Sequence, residues 1–273
     1  MSATAPPQLE NVILTVSEGV GVVELNRPQA LNAWNRQLGA DLLDAVRFVA
    51  EAGTVRAVLL RGGGRAFSSG ADLRDLTGRE EDLTPDGRPD VQRVLTERYH
   101  PIITGIRQME KPVVAAVNGP AVGIGLSLAL SCDLVIAARS AYFLQAFVNI
   151  GLVPDGGASL FVPARVGMAR AAEMAMLGER IDAAQALAWG LVNRVVDDEN
   201  LQQEAGALTA RLAAGPTRAY AGIKRQLNRC QYSHMAEQLE LEASIQLQMA
   251  GTHDFSEGVG AFVEKRAATF RGA

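Results

Sequence analysis

What the chain lacks narrows it first. It has two cysteines, Cys132 and Cys230, far apart and in no CxxC pair, so neither a disulfide framework nor a cysteine-built zinc site is expected. Such sparse cysteine usage fits a reducing cytoplasm. Histidine is scarce (His100, His234 and His253), which restricts histidine-dependent chemistry. Aromatic residues make up 5% of the 273 residues, against 27 glycines, so the core should be built from Ala, Val and Leu with close backbone approaches. There is no basic excess: 26 Lys+Arg stand against 30 Asp+Glu, a balance that argues against wholesale nucleic-acid binding. The start, MSATAPPQLENV, has neither a basic n-region nor an apolar h-region and does not read as a secretory leader. The run Val113–Cys132 is uncharged and, at about twenty residues, long enough to span a bilayer. Asn118-Gly119-Pro120, Gly123 and Gly125 interrupt it, so a strand, a turn and a buried helix are expected and no membrane span. GxGxxG, GxxxxGK[ST] and HExxH are all missing.

What is present is a globular composition, 48% hydrophobic and 21% charged, which excludes intrinsic disorder. The length suits one large domain, or a domain with an appendage. Ile13–Val16 and Val20–Leu25 read as a hairpin across Ser17-Glu18-Gly19. Leu38, Leu42, Val46 and Val49 recur at helical spacing until Gly53. Strands are expected at Val55–Leu60, Pro112–Val117, Leu134–Ala138 and Tyr142–Phe147. Helices are expected from Val91 to Met109 and at Ile124–Ser131, and the polar stretch Arg74–Pro89 reads as a mobile surface loop. After Pro163 helical patterns dominate, at about 169–177, 183–189, 198–213, 216–229, 235–250 and 256–270, with one strand at Leu191–Val196. Alternating strands and helices imply a largely parallel sheet with right-handed crossovers.

Three features carry chemistry. Two glycine-rich junctions, Gly64–Leu73 and Asn118–Gly125, each follow a strand and precede a helix. Small residues there let a ligand approach free backbone N–H groups, and a pair of donors can hold one developing oxyanion. The third feature is Asp155, the only charged residue between Ser140 and Ala164. A desolvated carboxylate has a raised pKa suited to acid/base work near neutrality, although Pro154-Asp155-Gly156 is also ordinary turn chemistry. Asp133 is similarly isolated and reads better as a hydrogen-bonded turn carboxylate. Gly125-Leu126-Ser127-Leu128-Ala129 approximates a nucleophile elbow, but the seven residues between strand and helix make that turn too loose, leaving Ser127 as a small residue on a buried helix.

Together these segments resemble the enoyl-CoA hydratase/isomerase family, the crotonase superfamily. Asn26-Arg27-Pro28-Gln29-Ala30-Leu31-Asn32-Ala33 is similar to its NRP-x-ALNA signature, and Ala66–Leu73 to its AF-x-x-GAD block. Lys111–Gly119 is similar to its KP-x-[IV]-AAVNG block, and Glu257–Arg266 to its EG-x-x-AF-x-EKR tail. The resemblance implies an α/β fold, a spiral of ββα repeats over about 1–200 carrying the CoA-binding and oxyanion turns. Residues 201–273 would then form a helical C-terminal trimerisation region. It implies an acyl-CoA substrate, no cofactor beyond the coenzyme A of that thioester, no nucleic-acid or membrane partner, and a homotrimer or hexamer. It assigns the oxyanion hole to the N–H groups of Ala71 and Ile124. Substrate binding falls to Arg27, Ala30, Ser69, Gly70, Asp72, Leu73, Gly123, Phe147 and Lys265.

Family hydratases carry two glutamates, and the matching positions here hold Ser127 and Phe147. Gly151-Leu152-Val153-Pro154-Asp155-Gly156-Gly157 is instead similar to the GLVPD segment of family isomerases, with the 2-(1,2-epoxy-1,2-dihydrophenyl)acetyl-CoA isomerases of phenylacetate degradation as the nearest pattern. The resemblance thus implies an isomerase with Asp155 as its single acid/base. The alternatives are a hydratase using Asp155 with Gln145 or a bound water, a thioesterase using Ser127, and a non-catalytic acyl-CoA-binding subunit.

Overall fold

A computed structural model describes residues 6–76 and 83–273. The hairpin forms as expected: β1 (Val12–Ser17) and β2 (Val20–Leu25) pair antiparallel, Val12 opposite Leu25, through a turn in which Glu18 and Gly19 both have positive φ. Asn35 caps α1 (Arg36–Glu51), its Oδ1 accepting the Leu38 N–H at 2.9 Å, and Leu38, Leu42, Ala45 and Val49 line the buried face. The next strand, β3 (Ala57–Gly62), begins two residues later than expected. The short α2 (Leu73–Leu76) occupies the start of the expected loop, whose residues 77–82 lie outside the described residues.

The helix expected from Val91 is three pieces in one run: α3 (Val91–Val94), a π turn over Leu95–Tyr99 and α4 (His100–Gln108). His100 N–H reaches back five residues to the Leu95 carbonyl. Beyond it come β4 (Val113–Val117), the unforeseen β5 (Ala121–Val122), α5 (Ile124–Ser131), β6 (Leu134–Ala138) and β7 (Tyr142–Leu144). Then follow α6 (Ala158–Val166), which runs through Pro163, α7 (Met168–Leu177), the unforeseen β8 (Ile181–Asp182), α8 (Ala183–Trp189) and β9 (Arg194–Val196). Four helices close the chain: α9 (Leu201–Ala214), α10 (Thr217–Gln231), α11 (Met235–Ala250) and α12 (His253–Glu264).

The main sheet has the order β1-β2-β3-β4-β6-β9, and every pair after the first is parallel. Each pass of the chain also leaves a short second strand beside the preceding one. Trp34 bridges Ala71, Ser68 bridges Ala121, and β5 pairs with β7 before β8 adds antiparallel. This staircase of two pairings per turn is the expected ββα spiral. Strands β3, β4 and β6 are buried along nearly their whole length, and their Val, Leu, Ile and Ala side chains form the core between sheet and helices. Among the described residues, no helix is long and apolar enough to cross a membrane.

Candidate active site

The two junctions come together because the spiral stacks them. Ser68 N–H donates to the Pro120 carbonyl at 2.9 Å and Val122 N–H to the Ser68 carbonyl at 3.0 Å. Glycine is required where the turns touch: a Cβ on Gly125 would stand 2.6 Å from that of Ser68. In the bridge to Trp34, the pairing uses the amides either side of Ala71. Trp34 N–H donates to Gly70 O at 2.8 Å and Asp72 N–H to Trp34 O at 3.0 Å. The Ala71 N–H therefore points away from its partner strand. Ile124 opens α5, where a first-turn N–H has no intrahelical acceptor, and Gly123 reaches that start through a positive φ of 52°. Among the described residues, neither the Ala71 nor the Ile124 amide meets an acceptor.

Asp155 sits on a turn that packs directly against this pair. Gly156 and Gly157 both have positive φ, and a methyl group on Gly156 would overlap the Ile124 side chain. The carboxylate is 6% exposed. Gln246 Nε2 donates to Oδ2 at 2.8 Å, while Oδ1 is buried without a hydrogen-bond partner among the described residues. Burial, reinforced by the nearby Glu242 carboxylate and partly opposed by Gln246, pushes the pKa of Asp155 up to about 8. Ser127 donates its hydroxyl to the Asp155 backbone carbonyl at 2.7 Å, so it braces the turn, and among the described residues it makes no hydrogen bond to a basic side chain.

A cavity of about 430 Å³ joins these parts. Its wall includes Ala71, Ile124 and Asp155, together with Ser69, Gly70, Leu73, Gly123 and Phe147 from the residues singled out in the sequence. The rest of the lining is largely apolar, with Tyr99, Leu95 and Phe255 prominent. Among the described residues lining it, Asp155 is the only carboxylate.

Four residues expected to bind substrate do not line this cavity. Arg27 is committed to Asp72, Nη1 to Oδ2 at 2.7 Å, and to the Ala33 carbonyl at 3.0 Å, so the two form a clamp behind the first turn. Ala30 lies one layer back, its carbonyl accepting from the Ser69 hydroxyl at 3.4 Å. Lys265 ends α12 in a left-handed conformation and is off the wall, whereas its neighbour Arg266 lines it while ion-paired to Glu257 and Glu264. Gln145, the helper in the hydratase alternative, is buried and does not reach the cavity. Sequence reasoning missed Tyr99, which the π turn delivers to the wall, and Glu242 and Gln246 behind Asp155. Among the described residues no cluster of His, Cys, Asp or Glu could hold a metal ion.

Residues 15–273 match the family model described as enoyl-CoA hydratase/isomerase. A probable enoyl-CoA hydratase of Rhodobacter capsulatus is 42% identical over 257 residues, 94% of this chain and 96% of that protein. The 1,2-epoxyphenylacetyl-CoA isomerase of Escherichia coli is 39% identical over 265 residues, 97% and 99% of the two chains. The crystal structure of an enoyl-CoA hydratase from Mycobacterium avium subsp. paratuberculosis superposes with a TM-score of 0.86 at 37% identity, covering 97% of this chain and all of that one. The chain belongs to the enoyl-CoA hydratase/isomerase family.

Proposed function

We propose that the protein is an acyl-CoA isomerase that works through a thioester enolate, with Asp155 as its single acid/base and Ala71 and Ile124 as oxyanion donors. The observation that carries this reading is that, among the described residues, the cavity has a single carboxylate, buried and with one oxygen unengaged, beside two free N–H groups. The ionised Asp155 takes a proton from a carbon of the acyl chain. The released electron pair moves into the thioester, and the charge collects on its oxygen between the two amides. The same carboxyl group then returns the proton at another carbon, so the double bond shifts with no net gain or loss of atoms; an epoxide could open through the same enolate. Each donor contributes roughly 3–4 kcal/mol to the charged intermediate, and the base roughly 10²–10⁴-fold in rate.

Hydration needs one group to activate water and another to handle the Cα proton, and the described residues of the wall offer a single carboxylate. The hydratase name of the Rhodobacter relative keeps that reaction as the competing outcome. With the reading come an acyl-CoA substrate, no separate cofactor, assembly through 201–273 as a homotrimer or hexamer, a cytoplasmic setting and a place in aromatic-acid breakdown such as that of phenylacetate. Incubation with 2-enoyl-, 3-enoyl- and epoxyphenylacetyl-CoA thioesters, read by mass, tests it. Isomerisation leaves the mass unchanged, hydration adds one water, and hydrolysis releases free CoA; either of the last two as the main product overturns the reading. Because the pKa of Asp155 lies at about 8, kcat/KM should climb with pH and level off above that value.

A further inference from the structure

Helix α11 contacts the Asp155 turn through two polar side chains on its buried face. Gln246 Nε2 donates to the Val153 carbonyl at 2.7 Å and to Asp155 Oδ2 at 2.8 Å. One helical turn earlier, Glu242 accepts the Gly157 N–H at 2.8 Å, the Ser159 N–H at 3.1 Å and the Ser159 hydroxyl at 2.5 Å. Gln238 Nε2 in turn donates to that hydroxyl at 2.9 Å. Glu242 is 3% exposed, and nothing in the proton transfer uses it.

We infer that Glu242 and Gln246 are positioning residues for Asp155: Gln246 fixes one carboxylate oxygen, while Glu242 fixes the turn behind it and sets a negative charge against it. This rests on Asp155 being the acid/base. Three donors converge on Glu242 and one on Asp155, so hydrogen bonding favours the charged form more strongly at Glu242. Burial raises both, Glu242 to about 7 and Asp155 to about 8. With three donors against one, Glu242 is the member of the pair that carries the charge, and the remaining proton stays on Asp155. The charge on Glu242 makes Asp155 a stronger base, and Gln246 keeps it from becoming too weak an acid.

The other charged groups on the elements around α11 have partners of their own or face solvent. Arg93 of α3 pairs with Asp90 at 3.6 Å, and Arg165 of α6 donates to the Leu130 and Cys132 carbonyls. On α12, Asp254 accepts backbone N–H groups of Arg271 and Gly272, and Glu257 is held by Arg266; His253 stands beside Asp254. At the π turn Glu97 is exposed and Arg98 acts on Tyr99, whose hydroxyl is held far above its ordinary pKa by burial and then by Asp155. Glu237 and Glu240 of α11 face solvent.

The test is the pH dependence of kcat/KM for the wild type, Glu242→Gln and Gln246→Met. Loss of the neighbouring charge should move the Glu242→Gln midpoint to lower pH by about one pH unit, the scale of coupled buried carboxylates. Loss of the donor should move the Gln246→Met midpoint the other way. A role limited to holding the fold would lower the plateau in both variants without opposite shifts. Carboxyl-carbon NMR supplies a readout that needs no activity: the Asp155 midpoint should fall in Glu242→Gln and rise in Gln246→Met. Glu242 ionises against a neutral Asp155, so its own midpoint should stay in place in Asp155→Asn, a variant that serves to assign its signal. An Asp155 midpoint that moves in neither variant overturns the inference. Opposite shifts of the Asp155 midpoint together with an Asp155→Asn protein that still isomerises would retain the coupling and remove Asp155 as the base.

Discussion

Asp133 and Asp155 are the same residue in the same kind of sequence, each a lone acid amid apolar residues, and the fold treats them oppositely. Asp133, with its side chain 21% exposed, is surrounded by donors: Lys224 Nζ at 2.8 Å, Arg107 Nη1 at 3.2 Å and the Val113 N–H at 2.9 Å. It ties α4 and α10 to the edge of β4, and Arg107 extends the tie to Asn228. Asp155 is more deeply buried and, among the described residues, has one donor and no cation. A carboxylate surrounded by cations is a fastener that holds elements together. A carboxylate denied them can still gain and lose a proton, which is what an acid/base requires. Neutralising each one should therefore produce opposite phenotypes.

The largest expected effect is on rate. Asp155→Asn keeps the shape of the side chain and its turn but cannot accept a proton at neutral pH. Isomerase turnover should fall by roughly 10²–10⁴-fold while acyl-CoA binding persists, measured by steady-state kinetics and by calorimetry with an unreactive thioester. Asparagine also suits turns, so a purely structural Asp155 would leave turnover near that of the wild type. Substrate C–H exchange in D₂O should disappear with the turnover; exchange at the wild-type rate in the variant removes Asp155 from the mechanism.

Asp133→Asn should do the reverse. Lys224 and Arg107 are nearly buried, with side chains 6% and 7% exposed, and both lose their counter-charge. The cost to folding should be about 3 kcal/mol, moderated because Asn can still accept the Val113 N–H. Denaturant unfolding measures it, and kcat per folded molecule should remain within a few-fold of the wild type. A variant that is stable but inactive would mean that Asp133 works in the chemistry and that the contrast between the two carboxylates is false.

The sequence makes this contrast visible only in part. The two turns and Asp155 are legible because each departs from its surroundings, in glycine content or in charge. Which acid is paired cannot be read, since Lys224 and Arg107 approach Asp133 from helices distant along the chain. Strands β5 and β8, two residues each, carry too little periodicity to detect; they exist because the spiral places a partner beside them. The tail motif points to Lys265, whereas the presence of Arg266 on the wall could not be read from it, because it depends on the left-handed turn with which Lys265 ends α12. Glu242 and Gln246 do leave a signal in the sequence. They share the helical stripe of Leu239, Ala243 and Ala250, and polar residues at core-facing positions of a helix call for a buried partner.

The same contrast extends to pH. Folded Asp155 holds its proton up to about pH 8, whereas the unfolded chain releases it near the ordinary value of 3.8. Between those values the folded state binds the extra proton, so the wild type loses stability as pH rises, and the loss levels off above about 8. Asn carries no such proton. Asp155→Asn should match the wild type near pH 4 and exceed it by a margin that grows by roughly 1.4 kcal/mol per pH unit toward pH 8, in denaturant titrations across that range. A difference independent of pH would mean that Asp155 is not held protonated in the folded protein.

The smallest effect separates the group that reacts from the group that holds it. Ser127 donates to the backbone carbonyl of Asp155, not to its carboxylate, and on the other side its hydroxyl reaches only the Gly123 carbonyl at 3.4 Å. Ser127→Ala removes one hydrogen bond from the turn at a cost of about 1 kcal/mol. Turnover should fall less than tenfold, because Gln246 and the packing of Gly156 against Ile124 still locate the carboxylate. If Ser127 were instead a nucleophile, the loss would reach a thousandfold or more, and mass spectrometry of the wild type under turnover would reveal an acyl-enzyme. The contacts of Ser127 are with carbonyls alone, which can accept its hydroxyl proton in a hydrogen bond but cannot remove it.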